Sequence, residues 1–144
     1  MKKAIFLLLI LLISSCKDDD TIQANPFLPN VGVNFSLNLN LPQYNSLKFP
    51  GGVFVDRTDG RGIRGVIIYN LNDDQFFAYE LSDPNIVPSD CSALGVVGTI
   101  ASSECGNDNT YDIASFGQQI KGEGGLPLFP YRAVKTGNTI SVSN

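Results

Sequence analysis

Three cysteines are the residues of this chain best suited to chemistry, and the chain contains no histidine to act with them. They are Cys16, Cys91 and Cys105. Without an imidazole there is no Ser-His-Asp triad, no Cys-His pair and no His-ligated zinc or iron. Acid–base catalysis would fall to carboxylates or lysines, and the sequence assigns no close carboxylate pair. We therefore predict that the protein is not an enzyme and has no metal site.

Other residue groups give weaker signals. Four aspartates near predicted turns lack the spacing of a calcium-binding EF-hand. The loop 60–65 contains Arg61 and Arg64 and could hold an anion, although two solvated arginines are the simpler reading. The five tyrosines could form a sugar-stacking platform, but tyrosines in strands belong more often to a core or its rim. The formal net charge of −4 disfavours nucleic acid as a partner.

The first fifteen residues are typical of a leader. Lys2 and Lys3 precede an apolar run over residues 4–13, and two serines follow it. Ten helical residues rise about 15 Å, which is too short for a hydrocarbon core of about 30 Å. The sequence Ile-Ser-Ser-Cys ending at Cys16 resembles a bacterial lipobox. The resemblance implies a lipoprotein signal peptide over residues 1–15 and acylation of Cys16.

The residues after Cys16 indicate a tether. Residues 17–20 are Lys-Asp-Asp-Asp, which resembles the surface-export signal of lipoproteins in Bacteroidetes-type bacteria; a solvated charge run is the alternative. We predict a flexible tether over residues 16–31. The expected partner is a membrane, through the lipid anchor on Cys16. The expected location is the outer membrane, on its periplasmic or cell-surface side.

Short strands follow in the body of the chain. Apolar and polar residues alternate over residues 33–41, which predicts a strand with one buried face. A second strand is predicted at 53–55, a hairpin from 66–69 and 76–79, and a closing hairpin from 131–134 and 139–142. After the leader, no stretch longer than about ten residues keeps the apolar spacing of a helix. The sequence therefore predicts an all-β domain over residues 32–144, built as a small barrel or as stacked antiparallel sheets.

The segment between the two hairpins, about 84–130, carries a family resemblance. Cys91 is followed by a short hairpin and then Cys105, a Thr-Tyr pair follows at 110–111, and a Gly-Gly-Leu-Pro loop occupies 124–127. This order resembles the Rieske [2Fe–2S] domain, over roughly residues 50–144. The resemblance implies stacked antiparallel sheets with an inserted cluster-loop subdomain, two cysteine ligands, and a Gly-Pro loop that covers the cluster.

The sequence departs from that family at the other two ligand positions. Ala93 stands where the first His would be, and Asp108 stands where the second would be. A Rieske site needs two imidazoles on one iron, and alanine has no donor atom. We therefore expect a degenerate site with no cofactor. The alternative is an atypical [2Fe–2S] cluster held by Cys91, Cys105 and Asp108 or by a partner chain.

The same resemblance implies what the two cysteines do. If the two ligand loops still face each other, the sulfurs of Cys91 and Cys105 lie near a common point, and an exported chain meets an oxidising compartment. A disulfide is the expected outcome. Two buried free thiols remain an alternative, and a redox-active pair is a weaker one because no base or helix N-terminus is evident beside them.

Three functions remain open at this point. The first is an exported, membrane-anchored lipoprotein with a cluster-free Rieske-like domain in a binding or structural role. The second is an electron-transfer protein with an atypical [2Fe–2S] cluster. The third is an unrelated β-sandwich module that binds glycan or protein.

Overall fold

A computed structural model describes residues 24–144. The signal peptide predicted over residues 1–15, the acylated Cys16 and the first part of the tether lie outside these described residues. Within them, no helix is long and apolar enough to cross a membrane.

Ten short strands and one 3₁₀-helix form the domain. The strands are β1 Asn34–Asn38, β2 Val53–Asp56, β3 Val66–Asn70, β4 Phe76–Glu80, β5 Gly95–Val97, β6 Ile100–Ser102, β7 Thr110–Asp112, β8 Gln118–Lys121, β9 Pro130–Thr136 and β10 Thr139–Ser143. The 3₁₀-helix covers Pro42–Lys48. The all-β prediction is confirmed.

The strands pair in two antiparallel sheets. Six form one sheet in the order β1-β10-β9-β4-β3-β2, and four form the other in the order β5-β6-β7-β8. The smaller sheet lies between β4 and β9 in the sequence, so it is an insertion in the larger one. Stacked antiparallel sheets with an inserted subdomain were predicted, and the structure shows both.

Each sheet contributes to a separate core. The larger sheet encloses one cluster that includes Leu37, Val66 and Ile140. A second cluster lies between the sheets and includes Ile67 of β3 and Tyr111 of β7. Successive residues of a strand point to opposite faces, so Val66 and Ile67 serve different cores. The uninterrupted apolar run of β3 follows from burial on both faces.

The first predicted strand is shorter than its alternation suggests. Residues 33–41 alternate, but β1 ends at Asn38, where the side-chain carbonyl oxygen of Asn38 accepts the N–H of Asn40 at 3.0 Å. Pro42 then begins the 3₁₀-helix, which the sequence did not predict. Leu47 of this helix is fully buried against the larger sheet. The helix therefore closes one end of the first core.

Part of the predicted tether contacts the domain. The Asn25 side chain donates a hydrogen bond to the carbonyl of Pro84 at 2.9 Å. The Asn144 side chain donates to the carbonyl of Val31 at 2.7 Å and accepts the N–H of Val33 at 3.0 Å. The described end of the arm is thus held at two points on the domain.

Candidate functional site

Two loops of the inserted subdomain carry the predicted site. The first follows β4 and contains Cys91, and the second links β6 to β7 and contains Cys105. An isolated bridge between Ser82 and Ala93 closes the first loop on itself. The N–H of Asp83 also donates to the carbonyl of Ser92 at 2.8 Å. The first loop is therefore a tight turn that presents Cys91 at its surface.

The structure brings the two site cysteines together. Their sulfur atoms are 2.10 Å apart and their Cα atoms 5.1 Å apart, so they are joined as a disulfide. The hydroxyl of Ser89 lies 3.4 Å from the sulfur of Cys91. The expected proximity of Cys91 and Cys105 is confirmed. Neither sulfur is left as a thiolate ligand in this arrangement.

Ala93 and Asp108, the other two positions that the resemblance assigns to the site, have the following surroundings. Ala93 is half-buried in the bridge with Ser82 and packs against the second core. Asp108 lies in the left-handed region at φ 58°, and its exposed carboxylate pairs with Lys121 at 3.2 Å. Within residues 24–144, no group of three His, Cys, Asp or Glu side chains could hold a metal ion. These residues do not fit a [2Fe–2S] cluster.

A buried carboxylate ties the two loops together. Asp83 is fully buried on the first loop. One of its oxygens accepts the Tyr111 hydroxyl and the N–H of Asn85, at 2.5 and 3.0 Å. The other accepts the side-chain amides of Asn107 and Asn109, at 3.1 and 3.0 Å. We call these five residues the Asp83 network.

The network changes the ionisation of its members. Burial alone would raise the pKa of Asp83, but the hydrogen bonds that it accepts from Tyr111, Asn85, Asn109 and Asn107 lower it below its ordinary value. The pKa of Tyr111 is raised, first by burial and then by its hydrogen bond to Asp83. Asp83 is therefore held as a carboxylate and Tyr111 as a neutral donor.

The Gly-rich covering loop packs on the same network. The Asn85 side chain donates to the carbonyl of Leu126 and accepts its N–H, at 2.9 and 3.0 Å. A Cβ atom at Gly124 would lie 2.2 Å from the Asn85 amide oxygen, and one at Gly122 would lie 2.1 Å from that of Asn109. Only glycine allows so close an approach of the loop backbone. The loop closes over hydrogen-bonded amides.

A polar cleft of about 710 Å³ opens beside this loop. Its lining includes Asn85, Asn107, Asn109 and the Asp108–Lys121 ion pair. Most of the amide hydrogen-bonding capacity is already used inside the protein. The asparagine amides that line the cleft are thus largely occupied, and its exposed charged groups include the paired Asp108 and Lys121.

The glycine-arginine loop holds an anion that belongs to the chain itself. Glu80 is fully buried and accepts the backbone N–H groups of Ile63 and Arg64, at 2.8 and 2.9 Å. It also accepts the Tyr131 hydroxyl at 2.6 Å. Arg61 pairs with Asp56 at 2.5 Å and lies 4.4 Å from the Phe35 ring. An internal carboxylate therefore occupies the backbone donors that an external anion would need.

The tyrosines do not form a sugar-stacking platform. All five are buried, with at most 9 % of their surface exposed; they are Tyr44, Tyr69, Tyr79, Tyr111 and Tyr131. Their rings fill the two cores: four lie on inward-facing strand positions, and Tyr44 lies in the 3₁₀-helix. The alternative reading, core tyrosines, is the one that the structure shows.

The sequence did not single out the carboxylates that organise the site. Glu80 and Asp83 stand at the end of β4, where acidic residues are usually taken as part of a solvated turn. A signal was present, because Glu80 ends a strand of otherwise apolar and aromatic residues, and the buried Leu81 follows it directly. Apart from the N–H groups of Ser82 and Asn85, two positions away, the partners of the two carboxylates lie 16 to 51 residues away in the sequence. Local spacing could not have identified them.

Comparison with known proteins gives structural neighbours only. No protein-family model and no curated protein matches the chain. One solved structure, from the complex of reduced oxygenase and oxidised ferredoxin in carbazole 1,9a-dioxygenase, is 14 % identical, with a TM-score of 0.48, over 80 % of this chain and 94 % of that one. Another, the carbazole 1,9a-dioxygenase ferredoxin from Nocardioides aromaticivorans IC177, is 16 % identical, with a TM-score of 0.45, over 78 % and 97 %.

A third neighbour comes from Mycobacterium tuberculosis. It is a protein provisionally named as the small subunit of an NADH-dependent nitrite reductase, and it is 17 % identical, with a TM-score of 0.46, over 80 % of this chain and 97 % of that one. At these scores the likeness carries no conclusion about this chain. The evidence for the all-β architecture is the pairing of strands in the two sheets of the structure.

Proposed function

We propose that the protein is an exported lipoprotein, anchored in a membrane through Cys16, whose Rieske-like domain carries no iron–sulfur cluster and has a binding or structural role. One observation carries the cluster-free part. The two cysteines at the ligand positions are bonded to each other, in a chain that has no histidine. A [2Fe–2S] centre of the Rieske type needs two thiolates and two imidazoles.

The contacts around the two loops support this reading. A bound cluster would hold two loops in a fixed arrangement by coordinating residues of both. Here the Cys91–Cys105 disulfide and the hydrogen bonds of the Asp83 network hold the same two loops together without a metal. The covering loop rests on Asn85. The subdomain is therefore fully braced without iron.

The electron-transfer alternative has less support. It would require reduction of the disulfide, removal of Asp108 from its ion pair with Lys121, and a fourth ligand from another chain. That fourth ligand would have to replace the one missing at Ala93, since a methyl group cannot ligate iron.

A catalytic role is also less well supported. The two carboxylates with unusual surroundings, Glu80 and Asp83, are fully buried and satisfied by hydrogen bonds. A general acid or base must reach a substrate proton. The ionisable groups of this site serve the fold instead.

The membrane anchor rests on the sequence. The apolar run of residues 4–13 and the lipobox-like sequence ending at Cys16 support acylation. Several acyl chains at one cysteine would make a durable attachment, since one chain binds only marginally. The outer membrane, on its periplasmic or cell-surface side, is the proposed location.

Intact-mass spectrometry of the full-length protein, purified from membranes, tests the proposal. We expect an acylated chain that begins at Cys16, two fewer hydrogens than the dithiol form, and alkylation of Cys91 and Cys105 only after reduction. The Cys16→Ser variant, which keeps both site cysteines, should lack the acyl mass and keep the Cys91–Cys105 disulfide.

The same sample is used to test for a cluster. We expect no stoichiometric iron and no visible absorption between about 400 and 600 nm, where such clusters absorb. Iron at two atoms per chain with that absorption would overturn the cluster-free assignment. An unacylated chain would overturn the anchor and leave the cluster result standing.

A further inference from the structure

Phe116 is an exposed aromatic side chain on an unfavourable backbone. Its φ is +57°, in the left-handed region that bulky side chains rarely adopt, and 73 % of its surface is exposed. Its ring lies 5.2 Å from that of Phe77, which supports it from one side. Neither backbone preference nor burial accounts for a phenylalanine at this turn. Such outliers point to a contact outside the folded domain.

An apolar groove lies next to this turn. It has a volume of about 750 Å³, and Leu126, Pro127, Phe129 and Pro130 provide most of its apolar lining. The N–H of Leu128, which also lines the groove, donates to the carbonyl of Gly117 at 2.8 Å. The turn with Phe116 therefore lies close to one wall of the groove.

The chain enters the domain at the same place. Ala24, the first residue that the structure describes, lines the groove, and the neighbouring Asn25 is bonded to the carbonyl of Pro84. Seven residues lie between Cys16 and Ala24. The eight residue-to-residue steps that join them span at most about 29 Å when fully extended. A lipid on Cys16 would hold the bilayer within that distance of the groove.

We propose that the domain rests on the surface of the lipid bilayer through this apolar face, with Phe116 inserted into the interface. We call it the exit face; it consists of Ala24, Phe116, Leu126, Pro127, Phe129 and Pro130. The inference rests on the proposed acylation of Cys16. It adds a second membrane contact, made by the folded domain itself.

The composition of the exit face favours lipid over other occupants. Arg132 is the charged side chain among the groove-lining residues, and a cation is suited to lipid phosphates. Exposed aromatic and apolar side chains gain most at the boundary between headgroups and acyl chains. The anchor also keeps the bilayer at high local concentration, which makes a weak contact effective.

A single tryptophan tests the contact directly, because the chain has none. We would reconstitute the acylated full-length Phe116→Trp variant in phosphatidylcholine vesicles and record its emission, with and without acyl chains that carry bromine. Leu41→Trp is the matched control. Leu41 is 43 % exposed, and its N–H donates to the carbonyl of Asn38, which pairs with Thr139 at the opposite end of the β9–β10 hairpin from Arg132 and Asn144.

The two variants should differ in emission. We expect Phe116→Trp emission to move to shorter wavelength and to be quenched by brominated lipid, and Leu41→Trp to show neither effect. The Cys16→Ser form of Phe116→Trp should lose both effects with the anchor. Equal emission of the two acylated variants would overturn the exit-face contact. A shift without vesicles, together with dimer formation, would also overturn it, in favour of a second copy.

The unsubstituted protein provides a second measurement, in case tryptophan disturbs the turn. Backbone amides of the segments 114–118 and 126–131 should exchange hydrogen more slowly in vesicles than in the Cys16→Ser protein, while the 136–140 segment exchanges equally in both. Uniform exchange would overturn the inference. Acylated protein that fails these tests leaves the proposed anchor intact, whereas unacylated protein overturns both.

Discussion

Glu80 shows how a single buried charge can organise a loop that looks functional in the sequence. Its two oxygens accept two backbone N–H groups from the glycine-arginine loop and the hydroxyl of Tyr131. The N–H of Ser82 adds a further bond at 3.0 Å. A Cβ atom at Gly62 would lie 2.5 Å from the carbonyl oxygen of Gly65 and 2.6 Å from a Glu80 oxygen, and its φ is +71°, so this position favours glycine. The loop is shaped around an internal anion.

Replacement of Glu80 by glutamine should destabilise the protein strongly. The amide has the same shape but only one acceptor oxygen, and its NH₂ group would face backbone donors. We expect a loss of about 3 kcal/mol in the free energy of unfolding, as for other buried charges whose partners are left unmatched. Urea unfolding measures it. The exposed Glu104→Gln is the control and should change stability by less than about 0.5 kcal/mol; equal effects would contradict the role of Glu80.

Asp83 makes stability depend on acid pH. Its hydrogen bonds depress its pKa below the ordinary value of 3.8, and Asp56, which is bonded to Thr58 and Arg61, has its pKa depressed as well despite burial. A depressed pKa contributes stability above the ordinary value, and this is lost as pH falls through the native pKa. We therefore expect the free energy of unfolding to be level near neutral pH and to drop below about pH 4.

The Asp83→Asn variant isolates this contribution. It should be less stable at pH 7 than the unsubstituted protein, and its stability should fall less between pH 5 and pH 2 because one depressed carboxylate is gone. Unfolding curves at several pH values give both quantities. Asp90→Asn, an exposed aspartate of the same loop, serves as control. An unchanged acid slope in Asp83→Asn would show that the carboxylate does not titrate with folding.

At the level of elements, the covering loop depends on close backbone approach. Gly124 and Gly125 both have positive φ, +103° and +75°, so alanine is strained at either. A Cβ atom would collide with Asn85 at Gly124 but would meet nothing within 4 Å at Gly125. We expect Gly124→Ala to cost about 1–3 kcal/mol more than Gly125→Ala in thermal or urea unfolding. Equal costs would mean that the loop can move away from Asn85.

The disulfide and the Asp83 network hold the same two loops in different ways. The bond closes a short loop, with a sequence separation of 14, and chain entropy predicts about 3 kcal/mol for such a loop. The Cys91→Ser/Cys105→Ser protein should lose about that much stability yet keep its near-ultraviolet signal, because the buried hydrogen bonds remain. Comparison with the reduced unsubstituted protein controls for the serines. Loss of the near-ultraviolet signal at neutral pH would show that the network cannot hold the loops alone.

The strands were predictable because their signal is local. Alternation over residues 33–41 and the β-branched run at 66–69 depend on neighbours one and two positions away. Burial on both faces gave β3 an uninterrupted apolar run that is easy to recognise as a strand. The run does not show which of its residues pack in the first core and which in the second. The 3₁₀-helix at Pro42–Lys48 has no such period, and its place depends on the packing of Leu47. The sequence therefore missed the 3₁₀-helix because tertiary packing, and not a local pattern, decides its structure.

For the whole molecule, the order of cysteines, hairpins and glycine-rich loop along the chain predicted more of the structure than any single motif. The order predicted that Cys91 and Cys105 would meet, and they do. The polar contacts between residues far apart in the sequence could not be predicted, since Tyr131 reaches Glu80 across 51 positions and Asn107 reaches Asp83 across 24. Such pairs are settled only when the chain has folded, because each polar group needs a partner once it is buried.

The described arm before β1 is held to the domain near its first residues by the side chain of Asn25. Asn25 bonds to the carbonyl of Pro84 and also accepts the N–H groups of Phe27 and Leu28, at 2.8 and 3.0 Å. Asn25→Ala should free this end. Because the bonds are partly exposed, the free energy of unfolding should fall by less than about 1 kcal/mol.

The effect of Asn25→Ala on local opening should be much larger than its effect on global stability. Phe27 is 39 % exposed, and chymotrypsin should cut there faster once the arm opens without unfolding of the domain. Asn30→Ala, an exposed arm position, is the matched control and should leave the cleavage rate unchanged. If cleavage in Asn25→Ala keeps pace with the control, the arm is held by its apolar contacts, and the distance between anchor and domain is set by residues beyond Asn25.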